Sequence, residues 1–115
     1  MAKPHSLTDA QRTPTAAMAT QAKKGLDLRQ THGRGGTEVG VRRAHQLVDR
    51  RAVSDRDIKS MYSYFARHQV DKRGKNWADP DKPSAGYIAW LLWGGEPAKA
   101  WVGRLHERLA AKADA

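Results

Sequence analysis

Apolar positions recur at helical spacing in successive blocks along the 115-residue chain, and nowhere alternate long enough to predict a strand. From Thr15 onward, Met18, Ala22, Gly25 and Leu26 share one face with Arg29 a turn further on, which predicts a helix closed by Gly33. Glycine takes the left-handed conformation of a helix end at little cost. Gly25, inside the same stretch, weakens its helical signal. A second helix is predicted from Thr37, as its N-cap, to about Arg50, with Glu38 favourably placed in the first turn. Val41, Ala44, Leu47 and Val48 form its inner face; Arg42, Arg43, Gln46, Asp49 and Arg50 fall on the opposite arc. Ser54 followed by Asp57 resembles a capping box and opens a third helix to about His68. Ile58, Met61, Tyr62 and Phe65 make the expected core stripe, and Arg56, Lys59, Ser60, Ser63 and Arg67 lie outward.

The segment 70–83, VDKRGKNWADPDKP, reads as a long loop, and Trp77 is expected to pin it to the body. Ser84 then caps GYIAWLLW, apolar all round, as a central buried helix does. Gly94 and Gly95 stop it, and Pro97 is expected at the first position of a last helix. Trp101, Val102, Leu105 and Leu109 form one stripe of that helix, with Arg104, Arg108 and Lys112 suited to its C-terminal turns. Residues 1–14, rich in Ala, Thr and Gln and holding Pro4 and Pro14, predict a flexible arm. The expected architecture is all-α, a compact bundle of four to five short helices. It forms a single helical domain over residues 15–112, with residues 70–83 as an internal loop and no repeat or heptad run.

Charge divides the chain. The formal net charge is +9 and the sequence pI is about 10.3; residues 1–75 hold 16 Lys+Arg against 7 Asp+Glu, whereas residues 76–115 hold 5 of each. Trp90, Trp93 and Trp101 lie in the neutral part. One end reads as core and the other as contact surface for an anionic partner. There is no cysteine, hence no disulfide and no thiolate metal site. The longest apolar run, Tyr87 to Trp93, is far shorter than the roughly twenty residues a bilayer span needs, and MAKPHSLTDA has no signal-peptide core. The expectation is a soluble intracellular protein with no membrane partner.

Three groupings compete for chemistry. HGRGGT, ahead of a helix start, could contact phosphate through Arg34 and the Thr37 end, but lacks the lysine and spacing of a P-loop; the alternative is a turn with glycines at positive φ. Tyr64, His68 and Asp71 come nearest to a catalytic set, without a visible nucleophile or metal partner. The five histidines show no zinc-site spacing, and neither metal, cofactor nor small-molecule substrate is expected. The aromatic residues are expected mainly in the core, with Tyr64 and Trp77 as the two that could be exposed. The third grouping is cationic: Arg29, Arg34, Arg42, Arg43, Arg50, Arg51, Arg56, Lys59 and Arg67. Arginine outnumbers lysine there, as suits bidentate phosphate contact, and these nine residues are the expected binding set for nucleic acid or another anionic partner.

Three blocks between Lys24 and Trp101 carry a resemblance: KGLDLRQTHGRGGTEVGVRRAHQL, SMYSYFARHQVDK and PSAGYIAWLLWGGEPAKAW. Together they resemble a family of small, functionally uncharacterised domains of tailed bacteriophages and large DNA viruses. The resemblance implies a viral origin and brings no catalytic residue or cofactor with it. The first expectation is therefore a non-enzymatic phage protein, a virion structural or assembly module found in the virion or the host cytoplasm. It would dock on other virion proteins and present an arginine-rich face to DNA or to an acidic protein surface. A second expectation, from a different class, is a helix-turn-helix-like DNA-binding regulator reading through Arg56, Lys59, Ser60, Ser63 and Arg67. A third is a nuclease or other enzyme using His68 and Asp71.

Overall fold

The computed structural model describes residues 7–114, with side chains placed through Ala111. Its helices are α1 (Asp9–Arg12), α2 (Ala16–His32), α3 (Glu38–Val48), α4 (Asp55–His68), α5 (Ala85–Leu92) and α6 (Gly95–Asp114). A 3-10 turn, Gln69–Arg73, follows α4, and no strand occurs among the described residues. The first five helices all open on a hydroxyl: Thr8, Thr15, Thr37, Ser54 and Ser84 each accept the backbone N–H three residues on, at 3.0 to 3.3 Å. Such a cap contributes about 1 kcal/mol. Ser54 and Asp57 form the full capping box that their spacing predicts, and α2 ends on Gly33 at φ 64° as expected.

The apolar helix α5 is the centre of the molecule. Ile88, Trp90, Leu91 and Leu92 are all buried, and α5 packs against α2, α3, α4 and α6. Helix α2 meets it backbone to backbone at Gly25, where a Cβ would stand 2.8 Å from the Leu92 amide nitrogen. The glycine that weakens the helical signal of α2 is thus the residue that lets the two helices cross. The HGRGGT turn presses on α5 in the same way: Gly35 (φ 102°) and Gly36 (φ 76°) leave room for Ile88 and for a Leu92 methyl. Both glycines combine a positive φ with close approach, two demands that no other residue meets.

Helix α4 lies on α6 and buries Ile58, Met61, Tyr64 and Phe65 in the core shared with Trp90, Val102 and Leu105. Full burial of each such aliphatic or aromatic side chain is worth roughly 1.5–3 kcal/mol. Here the structure corrects the expected stripe. Tyr64 is buried, stacked on Trp93 at a centroid distance of 4.4 Å, while Tyr62 is 42% exposed and stacks on His106 of α6. The two tyrosines flank one inner face, and Trp90 of α5 with Trp93 just past its end take the Tyr64 edge.

Three further differences have local causes. The last helix begins at Gly95, two residues before Pro97, because Gly94 and Gly95 at φ 104° and 65° turn the chain directly into it. The loop 70–83 contains the 3-10 turn, and Trp77 pins its remainder as expected, edge-on to both Tyr87 and Trp90. The flexible arm expected over 1–14 is docked along 7–14; residues 1–6 lie outside the described part. Leu7 and Pro14 are buried, the Val53 N–H donates to the Arg12 carbonyl at 2.9 Å, and Arg12 reaches both the Val53 carbonyl and Asp55. A short capped helix and the polar contacts of Arg12 thus help hold a segment whose composition alone is too polar to bury itself.

Candidate functional site

The nine cationic residues singled out from the sequence separate into two groups. Four are held by other parts of the chain. Arg29 donates to the Gly35 carbonyl at 2.9 Å and lies 3.7 Å from Glu38; Arg34 donates to the Pro83 carbonyl at 2.8 Å. These two tie the glycine turn to α2 and to the loop before α5, so HGRGGT serves as a braced turn. Arg50, at φ 52°, donates to the Pro14 carbonyl at 2.8 Å and fastens the docked N-terminal segment.

Arg43 is the most deeply committed. Its side chain is only 11% exposed, Nη1 lies 2.6 Å from Gln46 Oε1 and 2.9 Å from Asp57 Oδ1, and the guanidinium sits over the Trp93 ring at 5.3 Å. Arg43 therefore joins α3, the first turn of α4 and the aromatic core. Burial pushes the Asp57 carboxyl up but is outweighed by the Ser54 N–H, the Arg43 guanidinium and the Gln46 amide, which together hold its pKa at about 2. Arg43 is thus removed from the expected anion-binding set by its geometry: the charge is already neutralised within the fold.

The second group faces outward. Arg42, Arg56, Lys59 and Arg67 are exposed and have no ion-pair or hydrogen-bond partner among the described residues; Arg51 has only a long, exposed contact of 3.8 Å with Asp49. Arg56, Lys59, Ser63 and Arg67 occupy one arc of α4 opposite its core stripe, extending about 16 Å along the axis at the helical rise. On α3, Val39, Arg42, Arg43 and Gln46 recur at i, i+3, i+4 and i+7 and, with Arg51, line an open depression of about 350 Å³. Val39 and Gln46 are additions to the expected set, and their spacing on the outer face of α3 is the signal that could have found them. Gln46 also bridges the two helices by donating to Asp57 at 3.3 Å. The surface can offer the guanidinium and ammonium groups of Arg42, Arg51, Arg56, Lys59 and Arg67 to phosphates or carboxylates.

Tyr64, His68 and Asp71 are brought together. His68 Nδ1 lies 2.9 Å from Asp71 Oδ2, and the Tyr64 ring stacks on His68 at 4.5 Å. Asp71 packs against Gly86 at the start of α5, and Lys72 pairs with Glu96, so the histidine–aspartate pair closes the junction between α4 and the 3-10 turn. Tyr64 is 5% exposed and its hydroxyl has no hydrogen-bond partner among the described residues; burial, then the Asp71 charge, push its pKa up, with Arg67 acting the other way. No group of three or more metal-ligating side chains occurs among the described residues. In a helix-turn-helix the two helices pack on one another; here α3 rests mainly on α2 and α5, and α4 mainly on α6. No helix among the described residues is long and apolar enough to cross a membrane. No protein-family model, curated protein or solved structure matches the chain.

Proposed function

We propose that the protein is a small non-enzymatic viral module, of the particle or of its assembly, that docks on partner proteins and lays a cationic face against a nucleic-acid backbone. The carrying observation is the division among the arginines. Of the nine cations, Arg43 and Arg29 face carboxylates and Arg34 and Arg50 are hydrogen-bonded to backbone carbonyls, whereas Arg42 on α3, Arg56, Lys59 and Arg67 on α4, and Arg51 in the connection between them are left without a close partner among the described residues. Uncompensated, segregated cations on rigid helices suit phosphate contact, which positions a duplex without reading its sequence. The viral setting comes from the three sequence blocks and their resemblance.

The test is retention of the purified protein on duplex DNA of unrelated sequences at low and moderate salt, together with mass spectrometry of purified virus particles. Binding that is sequence-independent and steeply salt-dependent supports the reading. Absence from particles together with no DNA retention at low salt overturns it. A protected sequence-specific footprint would favour the regulator instead, and capture of an acidic protein with no DNA retention would assign the same face to that protein. An unchanged set of measured functions in a folded His68→Ala variant closes the enzymatic alternative.

A further inference from the structure

Beside the cationic arc, α4 carries a second feature that the fold leaves uncovered. Tyr62 and Ala66 on α4 and Val70 in the 3-10 turn that follows it recur at i, i+4 and i+8, and Tyr62 and Val70 are 42% and 59% exposed. The stripe borders a hollow of about 380 Å³ between α4 and α6, floored by Phe65 and Val102 and walled on the α6 side by Lys99 and Gly103. An adjoining hollow shares Ala66 and Gln69 and adds Lys72 and Arg73. The two make one track that runs from Tyr62 and Ala66 on α4 to Val70 in the 3-10 turn.

Gly103 is the informative residue. Glycine inside a helix lowers its stability relative to alanine, and elsewhere in this molecule such glycines have a cause, as at Gly25. At Gly103 a Cβ would meet nothing within 4 Å. Nothing among the described residues requires a glycine there, and its effect is to keep the α6 wall of the track low. It lines the same hollow as Ala66 and leaves room there for a backbone to approach closely.

The lining residues include Lys99, Lys72 and Arg73 and no carboxylate. Lys72 is already paired with Glu96, which leaves Lys99 and Arg73 as cations without an ion-pair partner among the described residues. We propose that this track receives one amphipathic helix of a partner protein, apolar on the seated face and acidic on the flanks. Helix-in-groove recognition uses such a seat, with anchors at i, i+3 or i+4 and i+7 and flanking charge to set partner choice. A second copy of this +9 chain fits the charge poorly. The inference rests on the docking half of the proposed function and is independent of the nucleic-acid half, since the track and the cationic arc are neighbouring sides of α4.

The experiment uses the full chain, isotopically labelled, titrated with two synthetic peptides. One is an 18-residue helix with leucine at i, i+3, i+4 and i+7 and glutamate on its flanks; the other is its lysine-flanked twin. Expected are saturable NMR shifts at Ala66, Gln69, Val70, Lys99 and Gly103 with the glutamate peptide, and at least tenfold weaker binding of the twin. Gly103→Leu, which fills the track, should reduce affinity at least tenfold while leaving DNA retention unchanged. Gly103→Ala should fold at least as well as the parent, and Lys99→Glu should weaken the acidic peptide only. No saturable shift with either peptide, equal binding of the twin, or shifts confined to another face would overturn the proposal. Concentration-dependent self-association mapped to these residues would overturn it too, assigning the track to a second copy. Loss of DNA retention in Arg56→Glu with peptide binding intact separates failure of one half from failure of the other.

Discussion

The surroundings of α5 and the outer faces of α3 and α4 are built under opposite constraints. Around α5, identity is dictated by space: Gly25, Gly35 and Gly36 stand where any Cβ would collide with the helix, and Arg29 and Arg34 brace the turn that bears two of these glycines. On the outer faces nothing in the fold dictates arginine, yet Arg42, Arg56 and Arg67 are there. The comparison teaches that abundance of a residue type is not evidence of one role. The same guanidinium is a structural clamp where carbonyls and carboxylates converge on it, and a free charge where they do not.

That contrast can be broken most severely at the helix crossing. Gly25→Ala gains helix propensity but drives a Cβ into the α5 backbone, and a net loss of about 2 kcal/mol or more is expected in urea unfolding. A neutral result would mean that α2 and α5 do not cross as described. Next in size is Arg43→Ala, which leaves Asp57 without its counter-charge and uncovers Trp93. It should cost about 2 kcal/mol, whereas Arg42→Ala, one residue away, should change stability by less than about 0.5 kcal/mol. Equal effects from the two would erase the distinction between clamp and free charge.

Acid titration sharpens the same pair. The folded Asp57 pKa, about 2, lies below its ordinary value of 3.8, so the carboxylate contributes stability that is fully present above pH 4 and lost as pH falls through 2. With partial exposure discounted, about 1 kcal/mol should disappear across that window in wild type, and the drop should be shallower in Asp57→Asn. Parallel stability curves for the two proteins would contradict the assignment. Smallest, and opposite in sign to Gly25→Ala, is Gly103→Ala: with open space around it, this change should raise stability by about 0.5–1 kcal/mol in the same urea assay.

Much of the fold was legible in the sequence because its helices are signalled locally. Thr37, Ser54 and Ser84 cap where the sequence predicts, and Gly33 ends α2. What was not legible depends on tertiary context. The choice of Tyr64 over Tyr62 for the core is made by Trp93 and by the position of α6, neither visible from a helical wheel of α4 alone. The docking of residues 7–14 depends on Arg12 finding Val53 and Asp55, more than forty positions away. For the candidate site, helical periodicity placed Arg56, Lys59 and Arg67 outward, but it could not see that Asp57 would draw Arg43 inward from the next helix. Charge counting treats nine cations alike; only partners in space separate them.

The central claim is that the unpaired cations of the outer face, and not the paired arginines, contact phosphate. It is tested most directly by the salt dependence of DNA binding in wild type and in the triple variant Arg56→Ala, Lys59→Ala and Arg67→Ala. The slope of log affinity against log salt should fall in magnitude by about 2 to 3 in the triple variant, with folding unchanged. An unchanged slope in a folded triple variant would contradict the account.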